Sequence, residues 1–531
     1  MPKVQFSNSA TSVFVPDGST VLEAARIANI TLEAPCNGMG TCGKCRIKLE
    51  SEQADYVLAC RTTVEEDVTV FLENKEQENR SMKILGEGQS FSYTLKPCIV
   101  KNYDAGKTKV IHRTGIVGTE EGDTTKSIYG ISVDIGTTTL VTTLIDLRTG
   151  ESLATEHALN PQSEYAQDVL SRIHFASKDN GIEILQTSLN KALNGMIEKM
   201  SKTAHIDSNH IYKLVYSGNT AMLHMACGID PKSLGQYPYV SQLVGNTHVS
   251  ANQLTVSPFA KIYLPPIISA FVGADITSGI LASQLFARGD TTIFIDVGTN
   301  GEMVLARKGT LAATSTAAGP AFEGMNITCG MRAAEGALER FSIDEDNQIS
   351  YSVIGGGKAR GICGSGLLDL TGELVRSGVI GKNGKFILPE KSPVKGLGKL
   401  DGKTAFFITD EVYLTQKDVR QIQLAKGAIR SGIEALLIQL DMTAQEVDRV
   451  EIAGSFGYHL SESSLLDLGL LPPDFKGKVS FVGNTSSSGG AAFLLNTDFR
   501  DEMAALVQTI EKIELSNSEG FEKLFVKALG F

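Results

Sequence analysis

The stretch GISVDIGTTT, residues 130–139, ends an apolar, β-branched run in Asp134 and continues through Gly136, Thr137 and Thr138. An aspartate at the end of a strand can hold a hydrated Mg²⁺, and a glycine two residues on permits a tight turn. The following N–H groups and hydroxyls can then bind phosphate oxygens. One Asp-x-Gly-Thr match alone is an ordinary turn signal. Residues 293–302, IFIDVGTNGE, repeat it with Asp296, Gly298, Thr299, Asn300, Gly301 and Glu302. Each copy sits between two apolar runs, 131–133 with 140–145 and 292–295 with 302–305, so each predicts a β-hairpin.

A similar interval downstream, VEIAGSFG at 450–457 is an apolar strand entering a glycine-rich turn. That is the form of an adenosine-binding loop, in which Gly454, Ser455 and Gly457 leave room for base and ribose. Two segments rich in small residues, VGADITSG (272–279) and GNTSSSGGAA (483–492), predict helices that pack closely at a hinge. Asp275 and Glu302 are candidates for orienting an attacking water, and equally for a helix cap or a solvated charge. The repeat predicts two related α/β lobes facing one another, about 128–290 and 291–480. The final helices are expected to return towards the first lobe.

The first 75 residues differ. Short extended runs at 3–6 and 12–15 precede a helix whose cap is Ser19 or Thr20 and whose apolar face is Val21, Ala24, Ala25 and Ala28. The loop APCNGMGTCGKCR, residues 34–46, follows, then strands at 46–49, 56–58 and 68–72. Cys36, Cys42 and Cys45 share that loop, and Cys60 comes from the chain beyond. Three thiolates on one glycine-rich loop and a fourth remote one fit a 2Fe–2S cluster. Zinc could use the same thiolates, but zinc knuckles usually show two short Cys pairs. The order predicts an α+β, ubiquitin-like (β-grasp) ferredoxin fold. Residues 76–127 read as a linker with a small β-rich piece, around 91–100 and 109–117, and no domain-sized core.

The net charge of −11 argues against nucleic acid, because phosphate neutralisation needs a basic surface. No apolar stretch spans a membrane, and Met1–Ser9 lack a signal-peptide core, so a reducing cytoplasm is expected. The remaining cysteines, Cys98, Cys227, Cys329 and Cys363, are scattered and read as buried small hydrophobes. His224, in an apolar Met-rich run, reads as a buried, satisfied histidine.

A ferredoxin module joined to this kind of ATPase resembles the reductive activators of corrinoid proteins. The resemblance covers residues 1–72 and nearly all of 129–500. It extends to NPQ (160–162), SGNTAMLH (217–224), GPAFEG (319–324), CGMRAAEG (329–336), GICGSGLLD (361–369) and LTQKDVR (414–420). The ATPase part is similar to the actin, sugar-kinase and heat-shock chaperone superfamily, a duplicated ribonuclease H-like fold. The resemblance implies a 2Fe–2S cluster, ATP and Mg²⁺ as cofactors. It implies electrons taken from a reductase, ferredoxin or flavodoxin and delivered to a corrinoid protein of a methyltransferase system, with ATP supplying the driving force. A homodimer is a further expectation. Larger relatives carry an extra domain between ferredoxin and ATPase, so a short form lacking most of that middle domain is expected here. Two alternatives stay open: an activator of another acceptor, like those of 2-hydroxyacyl-CoA dehydratases, or a non-catalytic redox and nucleotide sensor.

Overall fold

The computed structural model describes every residue except 8–10, 29, 31, 33, 35–37, 39, 41–44, 51–53, 73–85, 87, 114, 455–459, 516–517 and 519. The N-terminal module contains β1 (Lys3–Phe6), β2 (Thr11–Phe14), α1 (Val21–Ile27), β3 (Arg46–Leu49), β4 (Val57–Leu58) and β5 (Val68–Phe71). Its sheet runs β2-β1-β5-β3-β4, with β1 parallel to β5. Thr20 starts α1 through a capping box. Its hydroxyl accepts the Glu23 N–H at 3.2 Å, and the Glu23 carboxylate accepts the Thr20 N–H at 2.7 Å. Such a cap contributes about 1 kcal/mol. Val21, Leu22, Ala24 and Ala25 then bury one helix face against Val4, Phe6, Ile47 and Val70.

The segment expected to be a linker with a small β-rich piece is built into the molecule. Three antiparallel strands, β6 (Ile99–Asp104), β7 (Lys107–His112) and β8 (Gly115–Glu121), form a small sheet. Part of the stretch 118–126, expected to lack structure, is therefore strand. Among its described hydrophobic residues only Cys98, Ile99 and Val110 are buried, and they join a core completed by Ile128, Leu147, Tyr212 and Tyr263. The sheet borrows its apolar partners, so its own sequence carries little apolar pattern. Polar groups add to the anchorage: the Lys101 ammonium, with its side chain fully buried, meets Glu120 at 2.8 Å and the Ser127 carbonyl at 2.9 Å. Before this sheet, residues 88–97 run as a strap along a later element. The Gly88 N–H donates to Ser488 Oγ at 2.9 Å, the Gln89 N–H to the Val482 carbonyl at 2.7 Å, and the Lys96 N–H to the Leu495 carbonyl at 2.7 Å.

The two lobes follow. The first contains β9 (Tyr129–Ile135), β10 (Thr139–Asp146), β11 (Ser152–Leu159), α2 (Val169–Ala176), α3 (Gly181–Thr203), β12 (Ile211–Gly218), α4 (Thr220–Ala226), β13 (Thr247–Ser250), β14 (Lys261–Leu264) and α5 (Ala274–Ala282). The second begins with the hairpin strands β15 (Thr292–Val297), β16 (Gly301–Arg307) and β17 (Thr310–Thr316). Two small sheets are inserted there: β18 (Ala337–Ile343), β19 (Ile349–Val353) and β20 (Gly361–Ile362), then, beyond α6 (Gly364–Arg376), β21 (Leu397–Leu400), β22 (Lys403–Phe407) and β23 (Tyr413–Thr415). The chain continues through α7 (Gln416–Gln439), β24 (Arg449–Ala453), α8 (Glu462–Asp467), β25 (Val479–Gly483), α9 (Thr485–Leu495), α10 (Asp498–Val507), β26 (Glu511–Lys512) and α11 (Phe521–Ala528).

The large sheets share one plan. The first is ordered β11-β10-β9-β12-β14, with β13 at its edge, and the second β17-β16-β15-β24-β25, with β26 beside β17. In each, three antiparallel strands precede a parallel fourth and fifth. The helices that follow the fifth strands, α5 and α9, pack on one another. Their crossing requires Gly489, where a Cβ would stand 2.0 Å from the Ser278 carbonyl oxygen. Helix α9 also covers β9 and β12 of the first lobe, where the Ser132 hydroxyl donates to the Ser487 carbonyl at 3.0 Å. Helix α11 instead packs along α7 of the second lobe.

Candidate functional site: an acidic cleft between the lobes and a cysteine loop

Both Asp-x-Gly-Thr turns open into one cleft. It is lined by Asp134, Gly136, Thr137, Thr138, Asp275, Asp296, Gly298, Thr299, Asn300, Glu302 and Gly454. The topology explains the meeting. Asp134 lies at the end of β9 and Asp296 at the end of β15, the equivalent central strands of the two sheets. Gly136 and Gly298 close the hairpin turns by donating to the carbonyls of Thr139 and Asn300, each at 2.9 Å. Asp275 enters from the first turn of α5, and Glu302 faces Asp296 across the β15–β16 ladder. Gly454 follows β24 with φ +123, and a Cβ there would lie 2.6 Å from the Val297 carbonyl oxygen and 3.1 Å from Asp296 Oδ1. This is a backbone cradle that only glycine fits.

The carboxylates repel one another in a poorly solvated place. Burial, then Asp134, pushes Asp296 up to about 7. Burial, then Asp296, pushes Asp275 up to about 8. Glu302 is raised well above the carboxylate range by burial and by Asp275 and Asp296. Asp134 is raised by burial, although Asn484 Nδ2 at 2.9 Å and Ser486 Oγ at 2.8 Å donate to its two oxygens and oppose that shift. A nearby cation would offset this repulsion and lower all four values. Among the described residues, no three His, Cys, Asp or Glu side chains could hold a metal ion by themselves.

Several cleft residues carried no signal of their own in the sequence. Asn219, after the end of β12, donates to Thr137 Oγ1 at 3.1 Å. Arg172, fully buried, donates to the Thr137 carbonyl at 2.7 Å and fixes that turn from behind. Asn484 and Ser486 lay in a segment read only as close-packing, yet they hold Asp134. Glu323 accepts from Thr138 Oγ1 at 2.5 Å and from Thr299 Oγ1 at 2.6 Å, one hydroxyl from each lobe. A Cβ on Gly301 would meet Thr316 and Ile429. Ser455 and Gly457 lie outside the described residues. The 330–336 stretch leads into β18, and Gly364 begins α6. His224 is buried, with Nδ1 2.7 Å from the Thr220 carbonyl oxygen, and Nε2 accepts from the Gln242 N–H at 3.2 Å. Cys98 and Cys363 are buried, while Cys227 and Cys329 are only half-buried.

Of the four loop thiols, Cys36 and Cys42 fall outside the described residues. Cys45 and Cys60 are both buried. The β3–β4 ladder pairs Arg46 with Leu58, and the Ala59 N–H donates to the Cys45 carbonyl at 2.8 Å, so the chain brings Cys45 and Cys60 together. Gly38, at φ +85, lies with its Cβ direction 3.9 Å from the Cys60 Cβ. A glycine backbone this close to a thiol is the cradle that lets N–H groups approach cluster sulfurs.

Residues 5–65 match the family model described as the 2Fe-2S iron-sulfur cluster binding domain. Residues 129–288 match the RACo middle region, and residues 290–531 match the C-terminal domain of RACo, the ASKHA domain. A solved structure described as a reductive activator for a corrinoid, iron-sulfur protein superposes with a TM-score of 0.75 at 29% identity, covering 100% of this chain and 98% of that one. The chain belongs to the family of reductive activators of corrinoid proteins. Among curated relatives of this activator family, the corrinoid activation enzyme RamQ of Eubacterium limosum is 28% identical over 99% of this chain and 98% of its own. The Co(II) methylated amine-specific corrinoid protein reductase of Methanosarcina barkeri is 25% identical over 76% and 77%. The comparisons correct one expectation: the chain is not a short form. The middle region of these activators is present as residues 129–288, the lobe that carries Asp134. That region is one half of the duplicated fold, not an insertion ahead of it.

Proposed function

We propose that this chain is an ATP-dependent reductive activator that passes single electrons from an external reductase to the Co(II) of a corrinoid protein. The product is Co(I), ready for a methyltransferase. One observation carries the reading: a four-cysteine electron module and an acidic, two-lobed nucleotide cleft occupy a single chain of this family.

Cys36, Cys42, Cys45 and Cys60 would hold the 2Fe–2S cluster, which supplies one-electron transfer at about −400 mV if plant-type. Cobalt in Co(II) corrinoids is harder still to reduce, so the module offers a route but too little driving force. The lobes supply the rest. Asp134 and Asp296 would hold hydrated Mg²⁺, which offsets phosphate charge. The N–H groups and hydroxyls of Thr137, Thr138 and Thr299, with Gly136, Gly298 and Asn300, bind phosphate oxygens. Gly454 with Ser455 and Gly457 seats the adenosine. Asp275 and Glu302 orient water and are poised to accept its proton, since a carboxyl raised towards neutral pH suits that task. Asn484 and Ser486 keep Asp134 aimed into the cleft.

The test is direct. Co(II) corrinoid protein, a low-potential reductant and this protein should give Co(I), seen by its absorbance, only with Mg-ATP. Equal reduction without ATP would defeat the reading and favour a sensor.

A further inference from the structure

Glu323 stands where the cleft should be ready to receive an anion. It closes a short turn, Pro320–Glu323, between Gly319 at φ +76 and Gly324 at φ +74. Phe322 is fully buried, and a Cβ on Gly324 would stand 2.4 Å from the Met331 carbonyl oxygen, so the turn itself is pinned. Only the half-buried Glu323 side chain is left to rotate. Its carboxylate accepts hydrogen bonds from the Thr138 and Thr299 hydroxyls at 2.5 and 2.6 Å.

A hydroxyl has one proton to donate. Thr138 and Thr299 therefore cannot serve Glu323 and a phosphate oxygen together. Nor is the cleft a place where a further anion is welcome, for Asp134, Asp275, Asp296 and Glu302 already line it. We infer that Glu323 is a tethered placeholder for the nucleotide's terminal phosphates: it bridges the two turns when the cleft is empty and is displaced when ATP binds. This rests on the reading of the cleft as the ATP site. Glu323 thereby positions both phosphate turns for the incoming nucleotide and makes binding depend on how many phosphates arrive. A nucleotide too short to reach Thr138 and Thr299 leaves the bridge intact.

The experiment compares Mg-ATP, Mg-ADP and AMP binding to the full chain by calorimetry, for the parent protein, Glu323→Gln and Glu323→Asp. Glu323→Gln should bind Mg-ATP roughly tenfold more tightly, the scale of losing one charge-assisted competitor. Its AMP affinity should not change. Glu323→Asp keeps the charge but is too short to span both hydroxyls, and should fall between. Equal tightening for AMP would overturn the placeholder role, as would unchanged or weaker Mg-ATP binding in Glu323→Gln. Slower turnover at unchanged affinity would also overturn it, and would point to proton transfer instead. If the parent protein binds no Mg-ATP, the ATP reading of the cleft falls too, so the two failures are distinguishable.

Discussion

Asp296 shows how a single carboxyl ties stability to function. Its pKa stands near 7 against an ordinary 3.8, because burial and Asp134 both disfavour its charge. Below pH 4 the group is protonated whether the chain is folded or unfolded, and it contributes nothing. Between pH 4 and 7 the unfolded chain gives up this proton while the folded chain keeps it, so stability falls as pH rises, then levels off. Allowing for solvent in the open cleft, the cost is about 1–2 kcal/mol. Asp296→Asn should therefore melt higher than the parent at pH 8 without nucleotide, and the difference should vanish towards pH 4. Calorimetric scans across that range would check it, and an equal difference at both ends would refute it. The same substitution should cut Mg-ATP turnover roughly a hundredfold or more, the scale of losing a preorganised charge at a phosphoryl site. The cluster's visible spectrum should be unchanged.

At the level of elements, the α5–α9 crossing has almost no tolerance. Gly489→Val would drive side-chain carbons into the Ser278 carbonyl and should destabilise the lobes by about 2–3 kcal/mol. Gly195→Ala, on the exposed face of α3 with nothing near its Cβ direction, should stabilise by about 0.5–1 kcal/mol. Urea unfolding followed by circular dichroism would separate them. These elements were largely legible in the sequence, because a strand–Asp-x-Gly-Thr–strand unit repeats and each copy has its own apolar alternation. The capping box at Thr20 and Glu23 was half legible, since the threonine showed as a cap without its partner. The small sheet from Ile99 to Glu121 was legible only as a β-rich piece within a linker, because most of its buried contacts belong to other parts of the chain. Glu323 and Asn484 were unreadable as site residues for a related reason. Each acts across the lobe boundary, on partners far away in sequence, and no local pattern records that. The cysteine loop was the opposite case, with its chemistry written into one short stretch.

Across the whole molecule, the electron route and the nucleotide cleft should be separable by mutation. Cys45→Ser should lose the brown colour, and with it the expected content of about two irons and two sulfides per chain. It should still hydrolyse Mg-ATP while forming no Co(I). Cobalt reduction by that variant at the parent rate would remove the cluster from the path. The two lobes, by contrast, should not be separable at all. Helix α9 follows the second lobe's last large-sheet strand, β25, yet it roofs the first lobe's sheet, and its cap Asn484 and its Ser486 donate to Asp134. A polypeptide ending at Gly289 would expose the apolar surface of β9 and β12 and leave a buried carboxylate without donors. Such a fragment should precipitate when made alone. Co-expressed with residues 290–531, it should be rescued by strand-and-helix complementation. A gene encoding this chain could then be split between the lobes and still yield a working protein, but neither half could be lost or inherited on its own.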